Sequence, residues 1–175
     1  MTTIAFIGLG IMGEPMAGHL IDAGHDVIGV NRSPEPVDRL AERGARGADT
    51  VAEAVTEADI VITMVPDSPD VEDIAYGDDG IYANAKPGTL HIDCSSIRPD
   101  VARRLAETGA QHGVKVVDAP VSGARPAPSK PRCRSWSGVT RRTSRRPGRS
   151  WRRSARWSCT SVRLAPTRPS RPPTN

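Results

Sequence analysis

Three glycines fall at positions 8, 10 and 13, directly behind the run Thr3-Ile4-Ala5-Phe6-Ile7. A β-branched and aromatic run of that length, stopped by glycine, suits a buried strand. Helical spacing follows it: Met12, Met16 and Leu20 recur on one face, and Gly24 stands where a left-handed cap closes a helix. A strand, a G-x-G-x-x-G turn and a helix in that order constrain the backbone severely. The first glycine permits the tight turn, the second lets the main chain approach a pyrophosphate, and the third lets the helix pack closely on the strand. The start of the helix then offers free N–H groups and the positive end of its dipole to phosphate charge. A glycine-rich turn alone is common, but its place in a βαβ unit turns it into an expectation of dinucleotide binding.

The rest of the first 123 residues keeps the same alternation. Strands are expected at Asp26 to Asn31, Ile60 to Val65, Thr89 to Asp93 and Val114 to Asp118. Between them lie helical segments. One opens at Ser33-Pro34-Glu35, with Ser33 as N-cap, and runs through Val37, Leu40 and Ala41 to Gly44; another starts near Thr50. Ser68 to Ala75 and Pro99 to Gly113 supply two more. The segment Ile60 to Val65 is almost purely apolar, as a parallel strand covered on both faces requires. Strands separated by helix-length crossovers predict an α/β fold, a Rossmann-type doubly wound parallel sheet.

Charge divides the chain at Gly123. Residues 1–123 hold all twenty acidic residues and nine Lys and Arg, a formal −11, whereas residues 124–175 hold fifteen Lys and Arg and no acid, a formal +15. The net +4 of the whole describes neither part. The tail is mostly Arg, Ser, Thr and Pro, too poor in apolar residues for a core, and is expected to be disordered. Cys94, Cys133 and Cys159 make no paired framework, and the opening MTTIAFIGLG lacks the features of a secretion signal, so a cytoplasmic setting is expected. No stretch approaches the ~18 consecutive apolar residues of a membrane span.

At the end of the second strand an acid would accept hydrogen bonds from the ribose hydroxyls of NAD, but this chain has Asn31 and Arg32. A guanidinium there can pair with a 2′-phosphate, which favours NADP, with NAD still open. His19, His25 and His112 lack metal-ligand spacing, and Cys94 and Asp118 read as packed or structural residues rather than reacting groups.

Four ordered motifs carry a resemblance: GLGIMGEPMAGHL (8–20), VPDSPDVEDIAYGDDGIY (65–82), DCSSIRPDVARRLAE (93–107) and DAPVSG (118–123). Together they resemble the β-hydroxyacid dehydrogenases, most of all the 2-hydroxy-3-oxopropionate (tartronate semialdehyde) reductases, with the 3-hydroxyisobutyrate dehydrogenases close behind. The resemblance implies a Rossmann cofactor domain over residues 1–123. It assigns Gly8, Leu9, Gly10, Ile11, Met12 and Gly13 to the pyrophosphate and Asn31 and Arg32 to the adenosine ribose. Val65 and Pro66 fall on the cofactor's path, Ser96 lies near the nicotinamide end, and Ser122 and Gly123 hold the substrate carboxylate. The implied reaction is hydride transfer between a nicotinamide cofactor and a small β-hydroxyacid or semialdehyde.

The resemblance ends abruptly. The family's substrate loop continues with a glycine where Ala124 stands, and the family then supplies a helical domain with a K-x-x-N motif whose lysine moves the proton. Residues 124–175 contain one lysine, Lys130, in a Pro and Arg tract, so the family's proton-moving lysine is missing from them and a non-catalytic cofactor-binding fragment is an alternative. GC-rich codons chosen for residues 124–175 also spell, in another frame, a peptide that begins GEAGAIEAALSIMVGGDAADF and ends QTVKAANQ, which restores the family pattern. The competing reading is a nucleic-acid-binding tail, with arginines on phosphates and Trp136, Trp151 and Trp157 stacking on bases. The lack of any repeat in the tail argues against it.

Overall fold

The computed structural model describes residues 2–121, together with the backbone of Ser122, Arg134 and Ser135. The chain order is β1 (Thr3–Ile7), α1 (Gly13–Asp22), β2 (Asp26–Val30), α2 (Glu35–Ala41), β3 (Arg46–Gly47), α3 (Val51–Glu57), β4 (Ile60–Thr63) and α4 (Ser68–Tyr76). There follow α5 (Ile81–Asn84), β5 (Leu90–Asp93), α6 (Pro99–Gln111), β6 (Lys115–Asp118), β7 (Val121–Ser122) and β8 (Arg134–Ser135). The first six strands form one parallel sheet in the order β3-β2-β1-β4-β5-β6, and β7 pairs antiparallel with β8. The expected doubly wound fold is therefore observed. The expectation of a disordered tail falls on residues that lie outside the described ones, apart from the β8 backbone.

Alternation along β1 builds both layers. Ala5 and Ile7 join the cluster under α3 to α6, with Val61, Val71, Ile81, Val101 and Leu105. Ile4 and Phe6 face the opposite layer, with Ala17 of α1 and Leu40 of α2. Phe6, Leu40, Val61 and Leu105 are all essentially sealed from water, and each such side chain contributes about 1.5–3 kcal/mol of burial. A strand buried on both faces has no exposed position for unpaired polar side chains, which is why β4 reads Ile-Val-Ile-Thr with all four residues buried and the Thr63 hydroxyl paired inside.

Local chemistry sets the helix ends. The Thr50 hydroxyl accepts from the Glu53 N–H at 3.1 Å, while the Glu53 carboxylate reaches back to the Asp49 N–H at 3.0 Å, fixing the start of α3 from both sides. The expected Ser33 cap is corrected: α2 begins at Glu35 with Pro34 in the cap position, and no side chain caps it. The Ser33 hydroxyl instead accepts from the Asn31 amide at 3.1 Å. Four elements escaped the sequence reading, β3, α5, β7 and β8. All are too short to show a hydrophobic period.

The sheet grows outward from β1 in one direction through β2 and β3, and from β4 in the other through β5 and β6. Where the order reverses, the carboxyl ends of β1 and β4 leave a crevice between their departing loops, the place where open α/β sheets hold ligands.

Candidate cofactor site

A cleft of about 670 Å³ opens at that reversal. Nine of the residues expected to meet a cofactor line it: Gly8, Gly10, Ile11, Met12, Gly13, Asn31, Arg32, Val65 and Pro66. Its other walls are Ile7, Val30, Ser33, Asp49, Val51, Met64, Asp70, Asp73 and Ile74, which loops and helix starts bring in from four strand ends.

The three glycines serve two different ends. Gly8 has φ +95°, and a Cβ on it would sit 2.3 Å from the Met64 carbonyl oxygen. A Cβ on Gly13 would lie 1.9 Å from the Gly8 carbonyl oxygen. These two are dictated by the protein's own packing. Around Gly10 a Cβ would meet nothing within 4 Å, so no internal contact demands a glycine there. Its bareness leaves room on the cleft side, which is what a diphosphate close to the main chain needs. Met12, at the start of α1, provides no side-chain cap; the Glu14 N–H is taken by the Gly10 carbonyl oxygen at 3.1 Å and Pro15 has none, so an outside acceptor meets the loop N–H groups that precede Glu14. The residues present thus fit a dinucleotide phosphate.

Leu9 behaves differently from its neighbours in the motif. Its side chain is buried in the core against the space left by Gly29, and only its backbone serves the site. The Leu9 N–H donates to the Asn31 side-chain oxygen at 3.0 Å, and the Asn31 amide donates to the Ser33 carbonyl oxygen at 3.0 Å. Asn31 therefore clips the glycine loop to the end of β2. Ile11, by contrast, is 90% exposed at the cleft.

Of the remaining sequence-derived candidates, Ser96 is exposed and does not line the cleft. Its neighbour Ser95 is the buried one: the Val65 N–H donates to the Ser95 hydroxyl at 3.0 Å, which ties the loop after β4 to the end of β5. Ser122 lies in β7, and Gly123 lies outside the described residues. Cys94 is buried, in keeping with a packing role.

Between β4 and β5 lies a polar cluster that the sequence reading missed. His91, Thr63, Asp93 and Ser95 are all buried. The Thr63 hydroxyl donates to Asp93 Oδ1 at 2.8 Å, and the Ser95 N–H donates to the same oxygen at 3.1 Å. Thr63 has one hydroxyl proton and spends it on Asp93, so its oxygen receives the N–H of His91 Nε2 at 3.0 Å. Complete burial drives the His91 pKa down to about 4, with the Asp93 charge opposing, so the ring is neutral near pH 7. Asp93 Oδ2 is buried without a partner. Burial, and then the charge of Asp93, pushes the Asp118 carboxyl upward. Asp118 is the register neighbour of Asp93 on β6. The signal was unreadable in one dimension because Thr63, His91 and Asp93 meet only through strand register.

Fold and cleft together define a dinucleotide-binding domain. Residues 3–131 match the family described as the NAD binding domain of 6-phosphogluconate dehydrogenase. The chain is 47% identical over 123 residues to the 3-hydroxyisobutyrate dehydrogenase of Pseudomonas aeruginosa, covering 70% of this chain and 41% of that one. The solved 3-hydroxyisobutyrate dehydrogenase of Mycobacterium tuberculosis with L-serine is 45% identical, with a TM-score of 0.66 over 70% of this chain and 41% of that chain. Psf3 in complex with NADP+ and 2-OPP is 32% identical, with a TM-score of 0.66 over 69% and 43%. The chain belongs to the β-hydroxyacid dehydrogenase family and carries its NAD-binding domain. It spans about two fifths of the length of these relatives. Among the described residues no helix is long and apolar enough to cross a membrane, and no group of side chains forms a metal site.

Proposed function

We propose that these residues form the cofactor half of a nicotinamide-dependent oxidoreductase for small β-hydroxyacids. The observation that carries the reading is the open space at Gly10, beside two glycines that packing alone requires. The loop Gly8 to Gly13 holds the pyrophosphate, Asn31 and Arg32 face the adenosine ribose, and Val65 and Pro66 border the path towards the nicotinamide. Ile11, 90% exposed in the cleft lining, offers an apolar surface beside this path. Bound there, the cofactor supplies or accepts a hydride. Arg32 is a cation in the cleft wall, which favours NADP over NAD.

Relatives named for 3-hydroxyisobutyrate favour a substrate of that kind, with tartronate semialdehyde as the second substrate to assay. Ser122 and Gly123 are assigned to the substrate carboxylate on the resemblance. Residues 124–175 contain no K-x-x-N motif, and general acid–base catalysis is typically worth about 10²–10⁴ in rate. A polypeptide of these 175 residues is therefore proposed to bind cofactor with little or no turnover. We further propose that residues 124–175 are the family's continuation read in a displaced frame. The 123-residue match to the Pseudomonas enzyme, equal in length to the stretch before Ala124, supports this. Titration with NADPH and NADH beside assays of both substrates tests the first proposal; binding without turnover supports it, and absence of binding refutes it. Sequencing the gene across the Gly123 codon tests the second, and a single intact frame through that codon refutes it.

A further inference from the structure

Arg32 already has a partner in the cleft. Its Nη2 lies 2.5 Å from Oδ1 of Asp70, across the gap between the loop after β2 and the first turn of α4. The two side chains are unequally held. Arg32 is 86% exposed and reaches out on a flexible stem, whereas Asp70 is only 23% exposed and sits at the positive end of the α4 dipole, which favours its negative charge without help from Arg32. The other charged residues lining the cleft, Asp49 and Asp73, are both acids.

We propose that Asp70 sets the ratio of NADP to NAD affinity by holding Arg32 in an ion pair that a 2′-phosphate must displace. This rests on the cofactor assignment above. A phosphate monoester, with about −1.5 to −2 charges at pH 7, takes its best grip on a guanidinium through both prongs of the fork. In this structure Asp70 occupies one of those donors. Binding NADP therefore exchanges one anion for another at Arg32 and leaves the Asp70 carboxylate close to the phosphate. NAD has only a hydroxyl at that position and demands no exchange. Asp70 thus lowers NADP affinity selectively, and removing its charge strengthens the discrimination that Arg32 provides.

The test uses the full 175-residue chain, titrated with NADPH and with NADH by nicotinamide fluorescence at low ionic strength, with folding checked by circular dichroism. Asp70→Asn is expected to tighten NADPH binding by about fivefold, the scale of one exposed ion pair, while NADH changes by less than about twofold. In an Arg32→Gln background the same substitution is expected to lose most of that effect. If Asp70→Asn fails to fold, Asp70→Ser reads the same quantity. The proposal is overturned if the two nucleotides shift equally, if neither shifts, or if the full effect persists without Arg32. Failure of the underlying assignment looks different, because then the unaltered chain binds neither nucleotide.

Discussion

The backbone N–H of Leu9 is held by the side-chain oxygen of Asn31 at 3.0 Å, so the glycine loop and the end of β2 form one rigid corner. Asn31 lines the cleft, yet its amide is engaged with protein: Leu9 on one side, Ser33 on the other.

This arrangement separates two substitutions. Asn31→Ala removes the acceptor and is expected to cost about 1 kcal/mol of stability and to weaken nucleotide binding about tenfold by loosening the loop. Asn31→Asp keeps the acceptor for Leu9 but sets a negative charge near the phosphates. It gives up the bonds to Ser33 but should melt no lower than Asn31→Ala, and it should bind NADPH poorly while sparing NADH, whose ribose hydroxyls an acid can hold. Thermal melts and titrations of the two variants with NADPH and NADH check both outcomes.

Thr63 joins two buried groups through a single oxygen, taking the His91 N–H and giving its proton to Asp93. Thr63→Val is close in shape but takes the partner from His91 Nε2 and leaves Asp93 Oδ1 with the Ser95 N–H alone, so a loss of about 2 kcal/mol is expected, since a buried polar group left alone costs about 1–3 kcal/mol. Thr63→Ser keeps both hydrogen bonds and should cost under about 1.5 kcal/mol for its missing methyl. Urea denaturation of the two variants measures the difference. Equal losses would show that the methyl, and not the hydroxyl, matters.

Acid sensitivity follows from His91. Its pKa falls from the ordinary 6.5 to about 4 in the folded chain, so between those values the unfolded chain holds the extra proton. Stability contributed by neutral His91 is complete above about pH 6.5 and is lost as the pH drops towards 4, with a limiting slope of about 1.4 kcal/mol per pH unit. Asp118 acts the other way, because a raised carboxyl pKa costs stability as the pH rises above its ordinary 3.8. The difference between the unaltered chain and His91→Gln isolates the histidine. Melting curves from pH 4 to 7.5 should show a shallower decline for the variant, and parallel declines would contradict the assignment.

The periodic part of the fold was legible because burial on one or both faces writes a period into the residues. Met12, Met16 and Leu20 marked α1, and the unbroken Ile60 to Thr63 marked a central strand. The two-residue β3 and four-residue α5 hold about one period each and so cannot show a repeat, and nothing local announces them. Ser33 had the right chemistry for a helix cap, but Asn31 claims its hydroxyl. In the site, the glycine motif carried its own geometry in its spacing. Asp70 and the Thr63, His91 and Asp93 cluster reach their places only when strands and helices distant in sequence are laid side by side. Ser95 and Ser96 show the limit most sharply: adjacent and chemically identical, one is buried against the loop after β4 and the other is exposed.

The central claim is that Gly10 is bare for the sake of a ligand, while Gly8 and Gly13 are bare for the sake of the fold. Gly10→Val, measured by thermal melting and by NADPH and NADH titration, tests it most directly. The account predicts a melting temperature close to that of the unaltered chain and nucleotide affinity lowered at least about tenfold, or roughly 1.4 kcal/mol. A variant that binds both nucleotides as well as the unaltered chain would contradict it.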